Sequence, residues 1–360
     1  MGSFSEIINN NSFRVVGVMS GTSLDGLDIC LCTFIEKSNK WSYKIEKACT
    51  INYSNELKEK LSSAFNATGN ELTKLDYEYG RWIGNQVKVF LKDIKAKPAF
   101  VASHGHTIFH NPNQGFTLQI GKGSAISTES GLPCICDFRS SDVGRSGQGA
   151  PLVPIGDRLL FSNFDICLNL GGFANLSFES ENSRLAFDIG PCNIILNRLA
   201  QQNGHNFDKG GELGSKGNVN YKLLEDLNAL DYYQKKLPKS LGREWVEDIF
   251  YPLVKDSDLP IGDKLRTVYE HIATQISIAT NSIKGQTILA TGGGAYNNLL
   301  IHLLKNKSKH SIVIPDNQTI DYKEALIFAF LGVLYIQRKP SALSSVTGAN
   351  ADSISGCLYF

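Results

Sequence analysis

Asp188 is the residue in this sequence best placed to move a proton. It ends the apolar run Leu185-Ala186-Phe187 and precedes Ile189-Gly190-Pro191, where a buried strand opens toward a turn and a helix. A carboxylate held there accepts a proton from a water or hydroxyl, a role that contributes about 10²–10⁴ in rate. The competing reading is the N-cap of the following helix, although Pro191 and Asn193 lie nearer that start. Three glycine-rich turns each follow a strand: Gly21, Thr22, Ser23, Leu24, Asp25 and Gly26; Gly171 and Gly172; Gly292, Gly293 and Gly294. Glycine lets a backbone approach a ligand and take φ > 0, so that successive N–H groups converge on phosphate oxygens. One such turn means little. Three, spaced as two halves and a closing segment, point to a phosphate clamp of two lobes.

Other candidates are weaker or excluded. Asp25 and Asp28 in the first turn could steer a magnesium ion through water, with Asp28 read more simply as a turn cap. No protein-ligated metal is expected: His104, His106 and His110 have no carboxylate or Cys ligand close by, and their spacing is not helical. A histidine at the end of the strand over 100–103 suits a hydrogen bond to substrate instead. The stretch from Asp137 through Arg139 and Asp142 to Gln148 is polar and glycine-rich, a surface hinge by default. Within it Arg139 suits bidentate contact with a carboxylate. A P-loop fails, since Phe116 stands where its first Gly belongs and Gly123 where its hydroxyl belongs; no GxGxxG follows a strand.

The elements that must hold these residues repeat one logic. Strands over 14–19 and 27–34 flank the first turn, with a third over 43–51, then helices over 55–65 and 72–94 and short strands over 100–103, 116–120 and 133–136. The pattern restarts with strands over 165–170, 174–178 and 185–188 and a helix over 193–202. Helices over 221–230 and 264–283, a strand over 287–291, a helix over 297–304, a strand over 312–314 and an apolar helix over 322–338 follow. Alternating helix and strand predict an α/β fold. We expect an N-terminal lobe over 1–150, a C-terminal lobe over 151–339, and a tail over 340–360 that packs back on the first.

Composition fits a globular protein of about two domains: 360 residues, 42% apolar and 20% charged. The 36 basic and 35 acidic side chains nearly cancel, so nothing drives binding to a nucleic acid backbone. The N-terminal residues lack the pattern of a signal peptide or a myristoylation site, and the longest apolar run is too short to span a bilayer. Eight cysteines, among them Cys30/Cys32 and Cys134/Cys136 one residue apart in strands, read as reduced core residues of a cytoplasmic protein.

The ordered set of motifs resembles the anhydro-N-acetylmuramic acid kinase family from about Val16 to the C-terminus. It comprises SGTSLDG from Ser20, DFRSSD with SGQGAPLVP, NLGGFAN from Asn169, FDIGPCN from Phe187, PKSLGREW from Pro238, TGGGAYN from Thr291 and VTGA from Val346. The resemblance implies the hexokinase, heat-shock-70 and actin superfamily: two duplicated ribonuclease-H-like lobes with an interlobe active-site cleft. It implies an ATP- and Mg²⁺-dependent kinase that opens the 1,6-anhydro ring of anhydro-N-acetylmuramic acid and phosphorylates O6 in cell-wall recycling, and it implies a homodimer. Asp188 then matches the general base that activates water. The turns from Gly21 and Gly171 match phosphate loops, and that from Gly292 the adenosine loop. Arg139, Asp142, Gln148 and Glu324 fall in substrate-binding stretches, with Arg139 suited to the carboxylate on the lactyl arm of muramic acid. The chain departs from the common pattern at Ile189, Cys192, Leu241, His106, Ser146 and Lys122, usually Thr, Gly, Thr, Gln, Gly and an acidic or amide residue. None removes a charged catalytic group. The alternatives are a non-catalytic sugar or nucleotide sensor and a kinase for another sugar.

Overall fold

A computed structural model describes residues 11–21, 23–181 and 183–360. The chain divides into two compact units, one formed by residues up to Leu160 together with Tyr322–Phe360, the other by Phe161–Asp321.

In the first unit, β1 (Ser12–Ser20), β2 (Leu27–Lys37) and β3 (Lys40–Ile51) form an antiparallel meander. β4 (Val101–Ser103) pairs parallel with β1. β5 (His106–Asn111) and β6 (Phe116–Ile120) make a separate antiparallel ribbon, and β7 (Cys134–Cys136) joins β4 in parallel. The second unit starts again with the meander β8 (Ile166–Leu170), β9 (Phe173–Ser180) and β10 (Ser183–Pro191). β11 (Thr287–Thr291) then pairs parallel with β8, and β12 (Ser311–Val313) with β11. The last strand, β13 (Cys357–Tyr359), returns to the first sheet antiparallel to β7. The sheet orders are β13-β7-β4-β1-β2-β3 and β10-β9-β8-β11-β12. With β13 set aside, each reads third, second and first strand of a meander, then two parallel strands reached by crossovers. This is the duplicated ribonuclease-H-like topology expected from the sequence.

Local chemistry explains the helices that cover these sheets. Thr68 and Glu71 form a capping box at the start of helix Gly69–Phe90, whose Tyr79, Ile83 and Val87 pack with Val16, Val18 and Val101. Helix Ile261–Asn281 buries Leu265, Val268, Ile272 and Ile276 against Ile166, Leu168 and Ile288. Cys30 and Cys32 are fully buried on one face of β2, with sulfurs 3.4 Å apart, and all eight cysteines are free. Among the described residues no helix is long and apolar enough to cross a membrane.

The C-terminal boundary departs from expectation. Tyr322 onward packs in the first unit, not the second. The reason is a close approach: a Cβ on Gly17 of β1 would collide with the Ala325 carbonyl oxygen and stand 2.8 Å from Ala329 Cβ, and one on Gly332 would lie 2.7 Å from the Phe100 ring. The sequence hides this choice because residues 325–331 are all buried. A helix apolar on every side offers no face from which to infer its partner.

Candidate active site

In the second unit Asp188 lies on β10 at a bulge. Asp188 pairs with Asn175 and Gly190 with Ala174, so Ile189 is the extra residue. Bulges re-aim side chains and recur beside active sites. The carboxylate is half-buried, and its Oδ2 accepts a hydrogen bond from the Leu241 N–H at 3.0 Å. Oδ1 takes no hydrogen bond among the described residues. Burial pushes the carboxyl pKa up, and the Leu241 N–H pulls it partly back. The N-cap reading is excluded, because Cys192 occupies that position of helix Asn193–Gln202. Cys192 has φ −130°, so this position makes no demand for the left-handed backbone that favours glycine.

Two glycine turns meet at the carboxyl ends of β8 and β11, where the strand order of this sheet reverses. Ligands of open α/β sheets bind at such a switch point. Asn193 braces the first of these turns, its N–H donating to Gly171 O at 3.1 Å and its Nδ2 to Leu170 O at 2.9 Å, and its side chain lies beside Gly293 and Gly294 of the second. A Cβ on Gly172 would meet nothing within 4 Å, and one on Gly293 only Asn193 Nδ2 at 3.7 Å, so both backbones face open space that a phosphate group fits. Gly294 instead packs against Leu170, and Gly171 lies beside Asn169 Nδ2. Left-handed backbone is needed only at Gly292, with φ +81°, where a Cβ would stand 2.5 Å from Asn169 Oδ1.

In the first unit the turn after β1 is built differently from expectation. Among its described residues the left-handed one is Leu24, with φ 58°, and not a glycine. Gly26 is buried, since a Cβ there would stand 2.7 Å from Thr50 Cγ2, whereas Gly21 faces only Ser23 Oγ at 3.5 Å. Ser23 and Asp25 are exposed, and Thr22 lies outside the described residues. Asp28 belongs to β2 and accepts the Thr50 hydroxyl at 2.6 Å, so it is not a turn cap. Behind the turn, Ser20 Oγ meets His106 Nδ1 at 3.0 Å and accepts the Tyr53 hydroxyl at 2.8 Å.

The ends of β4 and β7 bring His104 and Arg139 together. Arg139 Nε donates to His104 Nε2 at 3.0 Å, and Nη1 to Gly149 O at 2.6 Å. The other ring nitrogen, Nδ1, lies 2.9 Å from Gly105 O, which fixes a neutral imidazole with Nδ1–H donating. Burial and the neighbouring guanidinium hold His104 down to about 3. Three of the five Arg139 N–H donors have no partner among the described residues. Burial lowers Arg139 to about 10, opposed by the nearby Glu324 carboxylate, which is exposed at the surface. A cavity of about 180 Å³ lies alongside, lined by His104, Gln119, Lys122, Asp137, Ser140 and Tyr359 among others.

Asp142 takes a different part from the substrate contact expected of it. It is fully buried, with Oδ2 accepting from the Gly149 N–H at 2.8 Å and Oδ1 from the Thr347 hydroxyl at 2.7 Å. It anchors the loop that carries exposed Gln148, whose N–H donates to Thr347 O at 2.8 Å. Ser146 in that loop has φ +64°, a left-handed position that accounts for Gly being usual there. Sequence reasoning missed His104 as the Arg139 partner, Asn193 as the brace of the Gly171 turn and the Leu241 N–H. Asn193 closes the FDIGPCN motif, but a main-chain donor leaves no signal in residue type.

The chain matches the family described as anhydro-N-acetylmuramic acid kinase over residues 13–360. The anhydro-N-acetylmuramic acid kinase of Acinetobacter baylyi is 32% identical over 380 residues, covering 95% of this chain and 98% of its own. That of Sulfurovum sp. is 32% identical, covering 97% and 99%, and that of Shewanella pealeana 33% identical, covering 98% and 99%. With end-to-end matches of this kind, the chain belongs to the anhydro-N-acetylmuramic acid kinase family.

Proposed function

We propose that this protein hydrolytically opens the 1,6-anhydro ring of anhydro-N-acetylmuramic acid and phosphorylates O6 at the expense of ATP, giving N-acetylmuramic acid 6-phosphate for cell-wall recycling. The observation that carries the reading is Asp188, a half-buried carboxylate with Oδ2 tethered and Oδ1 open. Burial that raises its pKa makes it a better base near neutral pH. Asp188 Oδ1 takes a proton from water as the water oxygen bonds to C1. The C1–O6 bond breaks with its electron pair left on O6, and O6 attacks the γ-phosphorus as ADP departs. ATP with Mg²⁺ supplies the phosphoryl group and neutralises charge on the phosphates. The open backbones at Gly21, Gly172 and Gly293 suit phosphate oxygens, and exposed Asp25 suits a magnesium-bound water. Arg139 turns its free donors to the lactyl carboxylate, while Glu324 and Gln148 hold sugar polar groups. Eight free cysteines suit the reducing, ATP-containing cytoplasm.

The test is ADP release with Mg-ATP and anhydro-N-acetylmuramic acid, beside N-acetylmuramic acid, N-acetylglucosamine and glucose. Turnover specific to the anhydro sugar is expected. Nucleotide binding with no turnover on any sugar makes the protein a sensor, and preference for another sugar overturns the substrate.

A further inference from the structure

A bulge interrupts the β-ladder immediately after Asp188, so something besides the sheet must hold this strand end. Residues 232–241 do so. The Tyr232 hydroxyl donates to the Asp188 carbonyl at 2.6 Å, the Asp188 N–H donates to Lys239 O at 3.2 Å, and the Leu241 N–H donates to Asp188 Oδ2 at 3.0 Å. Main chain on both sides of the side chain, and the side chain itself, are thus gripped by one segment.

That segment is in turn fixed to the body of the second unit. Tyr232 is buried, with its ring 5.4 Å from Trp245 and 5.7 Å from Tyr233. The Tyr233 hydroxyl would stand 3.0 Å from a Cβ on Gly190, so it rests against the bulge itself. It also meets His271 Nε2 at 2.8 Å, while His271 Nδ1 meets Asn228 Oδ1 at 2.7 Å. An amide oxygen only accepts, so Nδ1 carries the proton and Nε2 accepts from Tyr233. Contacts therefore run without a gap from helix Ile261–Asn281 through His271 and Tyr233 to the bulge. The Lys239 ammonium lies 4.7 Å over the Tyr232 ring and 5.9 Å over the Phe187 ring, and the Lys235 ammonium lies 5.9 Å over the Tyr232 ring.

We propose that the Leu241 N–H, seconded by the Tyr232 hydroxyl, is the positioning device of the Asp188 carboxylate, fixing Oδ2 so that Oδ1 alone meets the incoming water. The inference rests on the reading of Asp188 as the base. A main-chain donor works whatever the side chain, which explains how Leu stands at 241 where the family commonly has Thr. It also gives the conspicuous PKSLGREW stretch a task that its charged residues do not reveal. Leu241 and Tyr232 are positioning residues: they act on the base and not on the sugar.

Leu241→Pro removes the N–H, whereas Leu241→Ala keeps it. With the donor gone, the acid limb of kcat/KM moves up by about one pH unit and kcat falls about tenfold, with KM for the sugar within twofold of wild type. Leu241→Ala keeps the limb at its wild-type position, which a side-chain role at 241 would not allow. If Leu241→Pro fails to fold by circular dichroism, Tyr232→Phe gives the reading: kcat falls about fivefold with KM unchanged. Asp188→Asn is run alongside. Wild-type turnover in Asp188→Asn overturns the base and this proposal with it. Loss of turnover in Asp188→Asn, together with wild-type kcat and limb in the folded Leu241 and Tyr232 variants, overturns the positioning alone.

Discussion

Replacing His104 with Ala takes away the acceptor that Arg139 Nε uses at 3.0 Å and leaves Gly149 O as the guanidinium's one hydrogen-bond acceptor among the described residues. Hydrogen bonds from charged donors contribute about 1.5–3 kcal/mol, and about 1.4 kcal/mol is a factor of ten. Loss of one of the two anchors should therefore raise KM for anhydro-N-acetylmuramic acid about 10- to 100-fold, with kcat and KM for ATP within about threefold. Steady-state ADP release at saturating ATP measures this, and anhydro-N-acetylglucosamine supplies the control. That sugar lacks the lactyl carboxylate, so wild type and His104→Ala should process it with equal kcat/KM. The imidazole is held down to about 3, so it stays a neutral acceptor and the Arg139 contact should be flat between about pH 5 and 8. An unchanged KM, or an equal loss on both sugars, would refute the assignment of Arg139 to the carboxylate.

Two further outcomes follow from the second unit. Gly292→Ala places a side chain on φ +81° and 2.5 Å from Asn169 Oδ1. Left-handed strain of about 1–2 kcal/mol and overpacking of about 1–3 kcal/mol should together lower urea stability and weaken ATP binding by tenfold or more; wild-type values for both would show that this turn is not required. His271 is held down to about 3 by burial, well below its unfolded value of about 6.5. Its contribution to stability is intact above about pH 6.5 and drains as pH falls toward 3, by about 1.4 kcal/mol per pH unit once the unfolded chain is protonated. Urea midpoints measured from pH 7 to 4 should fall more steeply for wild type than for His271→Gln, and parallel curves would contradict the neutral, buried imidazole.

Local pattern was enough to read much of the scaffold. The helix Asn193–Gln202 and the strand Thr287–Thr291 appear with the bounds their patterning predicts. Short apolar runs closed by glycine or proline have few other readings. Asp188 stood out because a carboxylate directly after an apolar run is unusual, and it lies half-buried beside the bulge of β10. Pairings across distant segments were not. Arg139 and His104 lie 35 residues apart, and Asp142 and Thr347 lie 205 apart. Only the folded sheet brings such pairs together, which is why Asp142 looked like a substrate contact before its oxygens were found occupied. The ribbon β5–β6 was half seen, since the irregularity between Thr107 and Phe109 breaks the alternation that marks a strand. Glycine was also too blunt a guide to conformation: Leu24 and Ser146 take left-handed angles, whereas Gly171 and Gly172 do not.

Asp188→Asn tests the centre of the account most directly. An amide oxygen still accepts the Leu241 N–H but cannot accept a proton from water, so shape survives while basicity is lost. ATP binding by calorimetry should stay within about threefold of wild type, and turnover of anhydro-N-acetylmuramic acid should fall by about 10² or more. Turnover within tenfold of wild type, with binding intact, would mean that another group activates the water.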